Sequence, residues 1–370
     1  MLTENTDVFI AGGGPAGLAA GIAAAQRGMR VTVADAAQPP IDKACGEGIM
    51  PDGLVALGSL GVELTALAGA PFDGIHFLDG HGEASARFPQ GSGYGMQRSA
   101  LHAVLTAKAE GAGVQLAWGT RVEAVRQGEV VAGGKTIRSK YVVCADGQNS
   151  PLREMAGLAA GKVLRRRYGF RSHYKLRPWS RFVEVHWANC GQVYVTPVGA
   201  DVVCVVFITS DPHVRLEDAL PWFSAVQARL DGQTPVGKTM GGVTVTRTLK
   251  AVTRGGIALL GDASGSADAI TGDGLSLAFQ QATALADAMR CGDLQEYQRK
   301  HKEISRVPRR MGELMLLMDD FPCMRQKVFH GFSRSPKIFE RLLAVHTRSI
   351  SPMQIGAKEL LSFGWNVLSA

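Results

Sequence analysis

The sequence lacks three features that would each indicate a different class of protein. Hydrophobic residues make up 46% of the 370, yet no apolar run approaches the ~18 residues that a transmembrane helix needs. The six cysteines form no Cys-x-x-Cys pair, which argues against a zinc site or a disulfide framework and agrees with a reducing compartment. The opening stretch MLTENTD has neither the basic start nor the apolar core of a secretory signal. We therefore expect a cytoplasmic, globular protein without a bound metal.

Aromatic residues are also scarce, at 7%, and the basic residues are not interleaved with them. This argues against a nucleic-acid partner. The net charge is nevertheless +7, and residues 298–348 contain twelve Lys and Arg against five Asp and Glu. Three interpretations stay open for these basic C-terminal helices: a solvated face, attraction of an anionic small-molecule substrate, and peripheral attachment to a membrane that carries a lipid-like substrate. The sequence does not indicate an oligomeric state.

Glycine is concentrated in the stretch AGGGPAGLAA, residues 11–20, between a predicted buried strand and an alanine-rich helix. In its Gly-x-Gly-x-x-Gly pattern, Gly12 permits a tight turn, Gly14 lets the backbone approach a pyrophosphate, and Gly17 lets helix and strand pack closely. A second predicted strand ends at Asp35, whose carboxylate can accept hydrogen bonds from a ribose diol and disfavours a 2′-phosphate there. Strand, loop, helix, strand and acid in this order predict a dinucleotide site.

The middle of the chain has a different pattern. Three consecutive strands with short connections between residues 163 and 210 predict an antiparallel sheet, with one helix over 215–230 lying on it. The chain then returns to a buried strand at 257–262, and residues 296–347 read as amphipathic helix. We interpret one stripe at helical spacing as core or interdomain packing rather than a ligand site: Met311, Leu314, Met315, Met318 and Phe321.

Two later stretches, VVCADGQNSPLR at 142–153 and IALLGDASGSADAITGDGLSLAFQQA at 257–282, extend this pattern. With the glycine loop they resemble the three fingerprints of the FAD-dependent hydroxylase superfamily, over roughly residues 6–295. The resemblance implies an α/β fold: a discontinuous Rossmann-like FAD-binding domain, an antiparallel β-sheet substrate domain and a C-terminal helical region. The predicted boundaries are 1–75, 95–160 and 251–295 for the FAD-binding domain, 76–94 and 161–250 for the substrate domain, and 296–370 for the C-terminal helices.

The same resemblance implies which residues bind FAD. Arg98 matches an arginine that approaches the phosphates, the Val122 backbone meets the adenine, and Asp262 reaches the ribityl chain and pyrophosphate. A helix that opens after Thr271 can direct its N–H groups at the flavin N1–C2=O edge. The implied cofactor-binding set is Gly12, Gly14, Pro15, Ala16, Gly17, Asp35, Ala36, Cys45, Gly46, Arg98, Val122, Asp146, Gly147, Gly261, Asp262, Gly272, Asp273 and Gly274.

Three branches of the superfamily, each with its own reaction, are compared with this sequence. Our first expectation is a monooxygenase in which a C4a-hydroperoxyflavin oxygenates a small aromatic or lipid-like molecule, although Ala269 stands where aromatic hydroxylases usually carry proline. Geranylgeranyl reductase-like proteins, which reduce isoprenoid C=C bonds, are the alternative because KACGEG at 43–48 and ITGDGL at 270–275 resemble their motifs. Halogenases are disfavoured because Trp187-Ala188-Asn189 does not supply their Trp-x-Trp-x-x-Pro signature. No second Gly-x-Gly-x-x-Gly exists, so we expect NAD(P)H as a transient reductant, or a protein donor.

Cys45 and Glu47, which follow the ribose-binding acid in the chain, are candidates for catalysis. Cys45 can tune the flavin or supply a proton, or it is a small buried residue in a tight turn. Glu47 is an acid or gate, or an exposed loop carboxylate. Our candidates for the substrate-pocket wall are Tyr168, His186 and Tyr194, with Phe170, His173 and Trp187 as further options.

Not all of these candidates can face the pocket. Strand alternation places His186 and Trp187 on opposite faces, so both cannot point inward.

We interpret RRRYGFR, residues 165–171, as a solvated loop, with attraction of an acidic substrate or of nicotinamide phosphates as the alternative.

Overall fold

The structure, a computed structural model, describes residues 4–64 and 68–368. The strands in this part of the chain are β1 (Asn5–Ala11), β2 (Val31–Asp35), β3 (Gly48–Ile49), β4 (Ala70–Phe72), β5 (Gly74–Leu78), β6 (Glu83–Arg87), β7 (Gly93–Gly95), β8 (Gln115–Trp118), β9 (Val122–Arg126), β10 (Glu129–Ala132), β11 (Lys135–Cys144), β12 (Gly161–Tyr174), β13 (Phe182–Ala188), β14 (Gly191–Pro197), β15 (Val203–Thr209), β16 (Val236–Leu249), β17 (Thr253–Arg254) and β18 (Ile257–Leu259). The α-helices are α1 (Pro15–Ala25), α2 (Pro51–Ser59), α3 (Arg98–Gly111), α4 (Pro151–Met155), α5 (Leu216–Ala219), α6 (Ser224–Leu230), α7 (Gly274–Cys291), α8 (Leu294–Asp320), α9 (Pro322–Arg334), α10 (Pro336–His346) and α11 (Ala357–Leu368).

The first sheet has the order β17-β18-β11-β1-β2-β8, with β9 and β10 continuing as a meander from β11. The pairs β11–β18, β11–β1, β1–β2 and β2–β8 are parallel, and α1, packed against α3 and α7, makes the β1-to-β2 crossover. Because β1 is flanked by β2 on one side and β11 on the other, the chain order reverses at its carboxyl end. Ligands of open α/β sheets bind at such a switch point.

The second sheet has the order β16-β12-β15-β14-β13-β5-β6 and is antiparallel except for the β13–β5 pair. Residues of β13, β14 and β15 are almost all buried, because helices cover both faces. One face packs on the C-terminal helices and the other on α5 and α6. The two sheets confirm the predicted α/β class with an antiparallel substrate sheet.

The single helix predicted over 215–230 is wrong. The segment divides into α5, a 3₁₀ turn at Leu220–Trp222 and α6. Pro221 lacks the N–H that would continue a helix through this point, so the helix is interrupted there.

Helix α8 begins at Leu294, two residues before the predicted start, and proline also divides the helical region that follows it. Pro322 and Pro336 each occupy the first position of a new helix, α9 and α10, where the missing N–H costs no intrahelical bond. None of the described helices combines the length and apolarity that crossing a bilayer would require.

The domain boundaries stay a prediction, although the sheets indicate where the chain crosses between layers. The first crossing into the substrate sheet falls just before Gly74, where β5 starts. A small sheet of β3, β7 and β4 accompanies this crossing.

Candidate active site

The three glycine-containing motifs meet at the carboxyl edge of the first sheet, and their glycines make that approach possible. A Cβ at Gly12 would overlap the carbonyl oxygen of Ala145 in the second motif. A Cβ at Gly261 would lie 2.9 Å from the Ala16 methyl group in the first. Segments separated by more than 100 residues are therefore in van der Waals contact here, and only glycine fits at two of the contacts.

Arg153 joins the second motif to the third. Its guanidinium is buried and donates to the carbonyl oxygens of Ala263, at 3.1 Å, and Gln148, at 3.2 Å. Burial lowers the pKa of Arg153, but two carbonyl acceptors hold the side chain between the motifs. This arginine is the last residue of the second fingerprint stretch, 142–153, and its role is to fix the two loops relative to each other.

The glycine loop and the start of α1 leave an open cradle. No atom of the described residues lies within 4 Å of a Cβ built on Gly14, whereas one on Gly17 would overlap the Gly12 carbonyl oxygen. Helix α1 has no side-chain cap at its N-terminus, so its first N–H groups are available to an anion. Arg98, the first residue of α3, lines the same cavity, and its buried Nε has no hydrogen-bond partner among the described residues. These features fit the pyrophosphate of FAD.

Asp35 lies beside this cradle at the end of β2. Its Oδ2 accepts a hydrogen bond from the Gly13 N–H at 2.7 Å and its Oδ1 from Ala37 N–H at 2.8 Å. These bonds orient the carboxylate at the cavity wall and leave further lone pairs for a ribose. Two predicted cofactor residues are not brought to the cavity: Ala36 is exposed after the strand, and Val122 starts β9.

The Asp-Gly pair of the second motif has a structural role as well as a place in the cavity wall. Asp146 accepts from the Ser150 hydroxyl at 2.5 Å and from Leu152 N–H at 3.2 Å, which fixes the start of α4. Burial raises the pKa of Asp146. Gly147 supplies the left-handed turn, with φ of +84°.

The third motif brings a second helix N-terminus to the cavity. Gly272 ends a 3₁₀ turn in the left-handed conformation, and α7 begins two residues later. Between them, Asp273 is fully buried, and neither carboxylate oxygen accepts a hydrogen bond from the part of the chain described. Burial raises its pKa to about 6. His346, at the end of α10, places Nε2 3.4 Å from Asp273 Oδ2, so the C-terminal region reaches the predicted flavin edge.

Asp262 of this motif lies at the solvent side instead. Its side chain is part-exposed and forms an ion pair with Lys43 at 3.3 Å. Both residues line the cavity, and the pair connects the third motif to the segment that carries Cys45.

Cys45 and Glu47 occupy different depths of that segment. Cys45 is half-buried in the cavity wall, and its Sγ accepts from the Glu47 N–H at 3.4 Å. Glu47 is buried, so the exposed-carboxylate alternative is wrong. Its backbone φ is +60°, a strained value for a residue with a side chain.

The Glu47 carboxylate contacts three groups, two on β12 and one at the start of α3. Oε1 accepts from Arg171 Nη1 at 2.7 Å and from the backbone N–H of Arg98 at 3.0 Å, and Oε2 lies 2.6 Å from His173 Nε2. Cys204 lies close enough to complete a Glu-His-Cys trio with donor atoms within 4.8 Å. Because Arg171 already supplies positive charge at Glu47, we assign no metal there.

The segment RRRYGFR is not a solvated loop. It lies inside β12, and Arg167 and Arg171 are buried. Arg167 donates to Asp268 at 3.0 Å, Gly169 lines the cavity, and Arg171 also bonds Asp42 at 2.7 Å. Because side chains alternate along a strand, every second residue here lies on the face toward the cofactor domain.

The cavity of about 890 Å³ continues from the nucleotide motifs into an apolar chamber between the second sheet and the C-terminal helices. Such a volume is in the range of ligand sites. The sheet contributes apolar residues such as Val183, Val206 and Ile208, and the helices contribute the following: Met311, Leu314, Met315, Leu317, Met318, Met324, Val328, Phe332, Phe339, Leu342, Leu343 and Phe363.

The methionine stripe, which we interpret from the sequence as packing, packs in part and also lines the chamber. Four of its five residues line the chamber, and the fifth, Phe321, is exposed. A stripe at helical spacing marks an apolar face, whether that face packs against protein or lines a cavity. Only the neighbouring layer decides between the two.

The structure separates the predicted substrate residues. Tyr194 borders the chamber, and its buried hydroxyl donates to the Ile270 carbonyl at 3.1 Å. His186 is on the other face of the sheet, bonded to Glu184 at 3.0 Å, and Tyr168 is not among the lining residues. The expectation that His186 and Tyr168 form the chamber wall is wrong, because neither the His186 face nor the Tyr168 side chain reaches the chamber.

A protein-family model described as an FAD binding domain matches residues 5–194, which is half of the chain and contains the first two motifs. The chain belongs to this FAD-binding family. It is an FAD-dependent oxidoreductase.

Curated relatives of this flavoprotein include reductases. The menaquinone reductase of Mycobacterium tuberculosis (strain CDC 1551 / Oshkosh) is 30% identical over 165 residues, which cover 42% of this chain and 40% of the relative. The match thus spans about two fifths of the length of that protein. The digeranylgeranylglycerophospholipid reductase 2 of Methanosphaera stadtmanae is 26% identical over 322 residues, covering 78% of this chain and 80% of the relative.

Solved structures share the fold at lower identity. A flavin-dependent brominase superposes with a TM-score of 0.82 at 17% identity, over 98% of both chains. The p-nitrophenol 4-monooxygenase of Pseudomonas putida DLL-E4 gives 0.76 at 17% identity, over 94% of this chain and 98% of that one. At these identities the likeness concerns the fold alone.

Proposed function

We propose that this flavoprotein reduces a carbon–carbon double bond of an isoprenoid-like lipid. The observation that carries the proposal is that the cofactor cradle and the apolar chamber form one continuous cavity of about 890 Å³. A chamber walled by aliphatic, methionine and phenylalanine side chains binds a chain with few polar groups. The relatives detected by sequence are named for reductases of menaquinone and of a digeranylgeranyl lipid, which supports reduction over oxygenation.

Different residues at the cradle would bind different parts of FAD. Arg98 and the N-terminus of α1 would hold the pyrophosphate, Asp35 would bind the adenosine ribose, and the N-terminus of α7 would face the flavin ring. When bound and reduced, FAD supplies a hydride, and NAD(P)H is the proposed source of the two electrons.

Saturating a double bond takes one hydride at one carbon and one proton at the other. We assign the proton to the Cys45 thiol, because Sγ lies at the cavity wall and already accepts the Glu47 N–H. That N–H would stabilise the thiolate left after transfer, and solvent would reprotonate it. Glu47 acts through the loop: its carboxylate is committed to Arg171, His173 and the start of α3.

The test measures the product's mass and its need for oxygen. The FAD-loaded protein is reduced with NADPH under nitrogen and given a geranylgeranyl lipid or menaquinone in detergent. The expected product is heavier by two hydrogens and forms without air, and with menaquinone the gain persists after air reoxidises the quinol to the quinone. A product that gains an oxygen atom, and forms only in air, would instead establish the monooxygenase.

Two matched tryptophan variants test the chamber. Val328→Trp fills a lining position, whereas Leu361→Trp adds the same side chain at an exposed one. We expect the first to abolish lipid turnover without changing FAD content, and the second to change neither. Cys45→Ala should retain FAD and lose turnover; full turnover in that variant would remove Cys45 from the mechanism.

A further inference from the structure

The chamber opens to solvent between exposed apolar side chains. Leu314 and Leu317 line the cavity and are still 55% and 44% exposed. Val243, on β16, combines the same two properties. Side chains that contact both the chamber and the solvent lie at its mouth, and here they are apolar.

Helix α8 extends this apolar rim and adds charge to it. Arg306, Arg310, Leu314, Leu317 and Phe321 follow one another at intervals of four, four, three and four residues, so they share one helical face. Phe321, the C-cap residue directly after the helix, is 56% exposed. Both arginines are exposed and form no ion pair with any residue that the structure describes. The face is therefore basic at one end and apolar at the other, with one exposed acid, Glu313, between them.

The second sheet supplies a matching edge. Arg165 forms ion pairs with Asp320 at 2.6 Å and Asp319 at 3.7 Å, which fasten the start of β12 to the end of α8 and neutralise those two acids. The residues just before Arg165 in the chain, Val163 and Leu164, are 51% and 52% exposed.

We propose that this face docks the enzyme on an anionic lipid bilayer, with the chamber mouth against the membrane. The docking face comprises Val163, Leu164, Arg306, Arg310, Leu314, Leu317 and Phe321. Exposed aliphatic and aromatic side chains enter the interface between headgroups and acyl chains, and adjacent arginines bind lipid phosphates. Among possible occupants we favour a bilayer, since unpaired cations beside apolar residues complement an anionic lipid surface and the rim continues into the apolar chamber. The biological reason rests on the proposed function: a lipid substrate could then enter the chamber without crossing water.

The experiment measures vesicle binding by the FAD-loaded protein without any turnover. Vesicles of saturated phosphatidylcholine, with or without 30 mol% saturated phosphatidylglycerol (about one lipid in three, a strongly anionic surface), are sedimented with the protein. We expect binding to the anionic vesicles that weakens as salt increases. The double variant Leu164→Ser/Phe321→Ser should bind about tenfold more weakly, and Arg306→Gln/Arg310→Gln should lose the preference for phosphatidylglycerol.

Val55 provides the control, because it is 75% exposed on α2 and lies outside the cavity lining. Val55→Ser should bind like the wild type, and flavin absorbance confirms that each variant is folded. Absence of wild-type binding to anionic vesicles, or unchanged binding by the Leu164/Phe321 variant, would overturn the docking face. Since these vesicles contain no carbon–carbon double bonds, docking can fail while detergent-dispersed lipid is still reduced, and it can hold when no lipid is reduced.

Discussion

The buried carboxylate of Glu47 allows a sharp test of how the cofactor loop is held. Arg171 is shared between two acids, Glu47, which is fully buried, and Asp42, which is about one-third exposed. Glu47→Gln keeps the shape and an acceptor oxygen but leaves a buried guanidinium with one charged partner. Removing one member of a buried pair costs about 3–5 kcal/mol. Because Asp42 remains, we expect the lower end, about 3 kcal/mol.

Asp42→Asn is the matched control because it removes one charge from the same guanidinium. Water already solvates part of this carboxylate, so the expected loss is at most about 1 kcal/mol. The measurement is denaturant unfolding at a fixed saturating FAD concentration, monitored by flavin and tryptophan fluorescence. If Asp42→Asn destabilises the protein as much as Glu47→Gln, then burial does not set the strength of this pair and the reasoning is refuted.

The backbone of the same residue gives an independent comparison. The φ of +60° at Glu47 is unfavourable for any residue with a Cβ and free for glycine. We therefore expect Glu47→Gly to be more stable than Glu47→Ala by about 1 kcal/mol. The reverse order would mean that the left-handed conformation carries no strain here.

Three further predictions concern the cofactor end of the cavity. Gly17→Ala should fail to fold or unfold readily because its methyl group would overlap a backbone carbonyl, whereas Gly14→Ala should fold and lose FAD affinity; fluorescence titration with FAD and thermal unfolding separate the two effects. Arg98→Gln should weaken FAD binding at least tenfold, about 1.4 kcal/mol, and an unchanged dissociation constant would remove Arg98 from the phosphate site. Burial raises the pKa of Asp273 to about 6 from the ordinary 3.8, so the folded protein retains this proton longer than the unfolded chain. Stability from that proton is lost as pH rises from about 4 to about 6; Asp273→Asn should therefore match the wild type below pH 4 and exceed it above pH 6, by up to about 3 kcal/mol, and a gain independent of pH would contradict this.

Local sequence determined the cofactor domain to a large extent. Each motif is a strand, a glycine turn and a helix start in fixed order. A turn that needs glycine, or a helix that lacks a capping side chain, can be recognised from the few residues around it. Gly12 and Gly14 accordingly lie in the strand-to-helix turn that their spacing predicted, and Arg98, which only the family resemblance indicated, lines the same cavity. The same logic placed His186 and Trp187 on opposite faces, because alternation along a strand is a local property.

Tertiary structure alone decided what those faces meet. The arginines of β12 are polar by composition, yet Arg167 and Arg171 are buried because Asp268, Asp42 and Glu47 arrive from distant segments to pair with them. The stripe on α8 is apolar whatever it contacts. The position of the second sheet makes part of the stripe a chamber wall and leaves part of it as an exposed rim. Whether buried charges pair, and whether a space between layers stays open, depends on contacts between residues far apart in the chain. Local sequence patterns therefore could not predict the buried arginine pairs or the chamber.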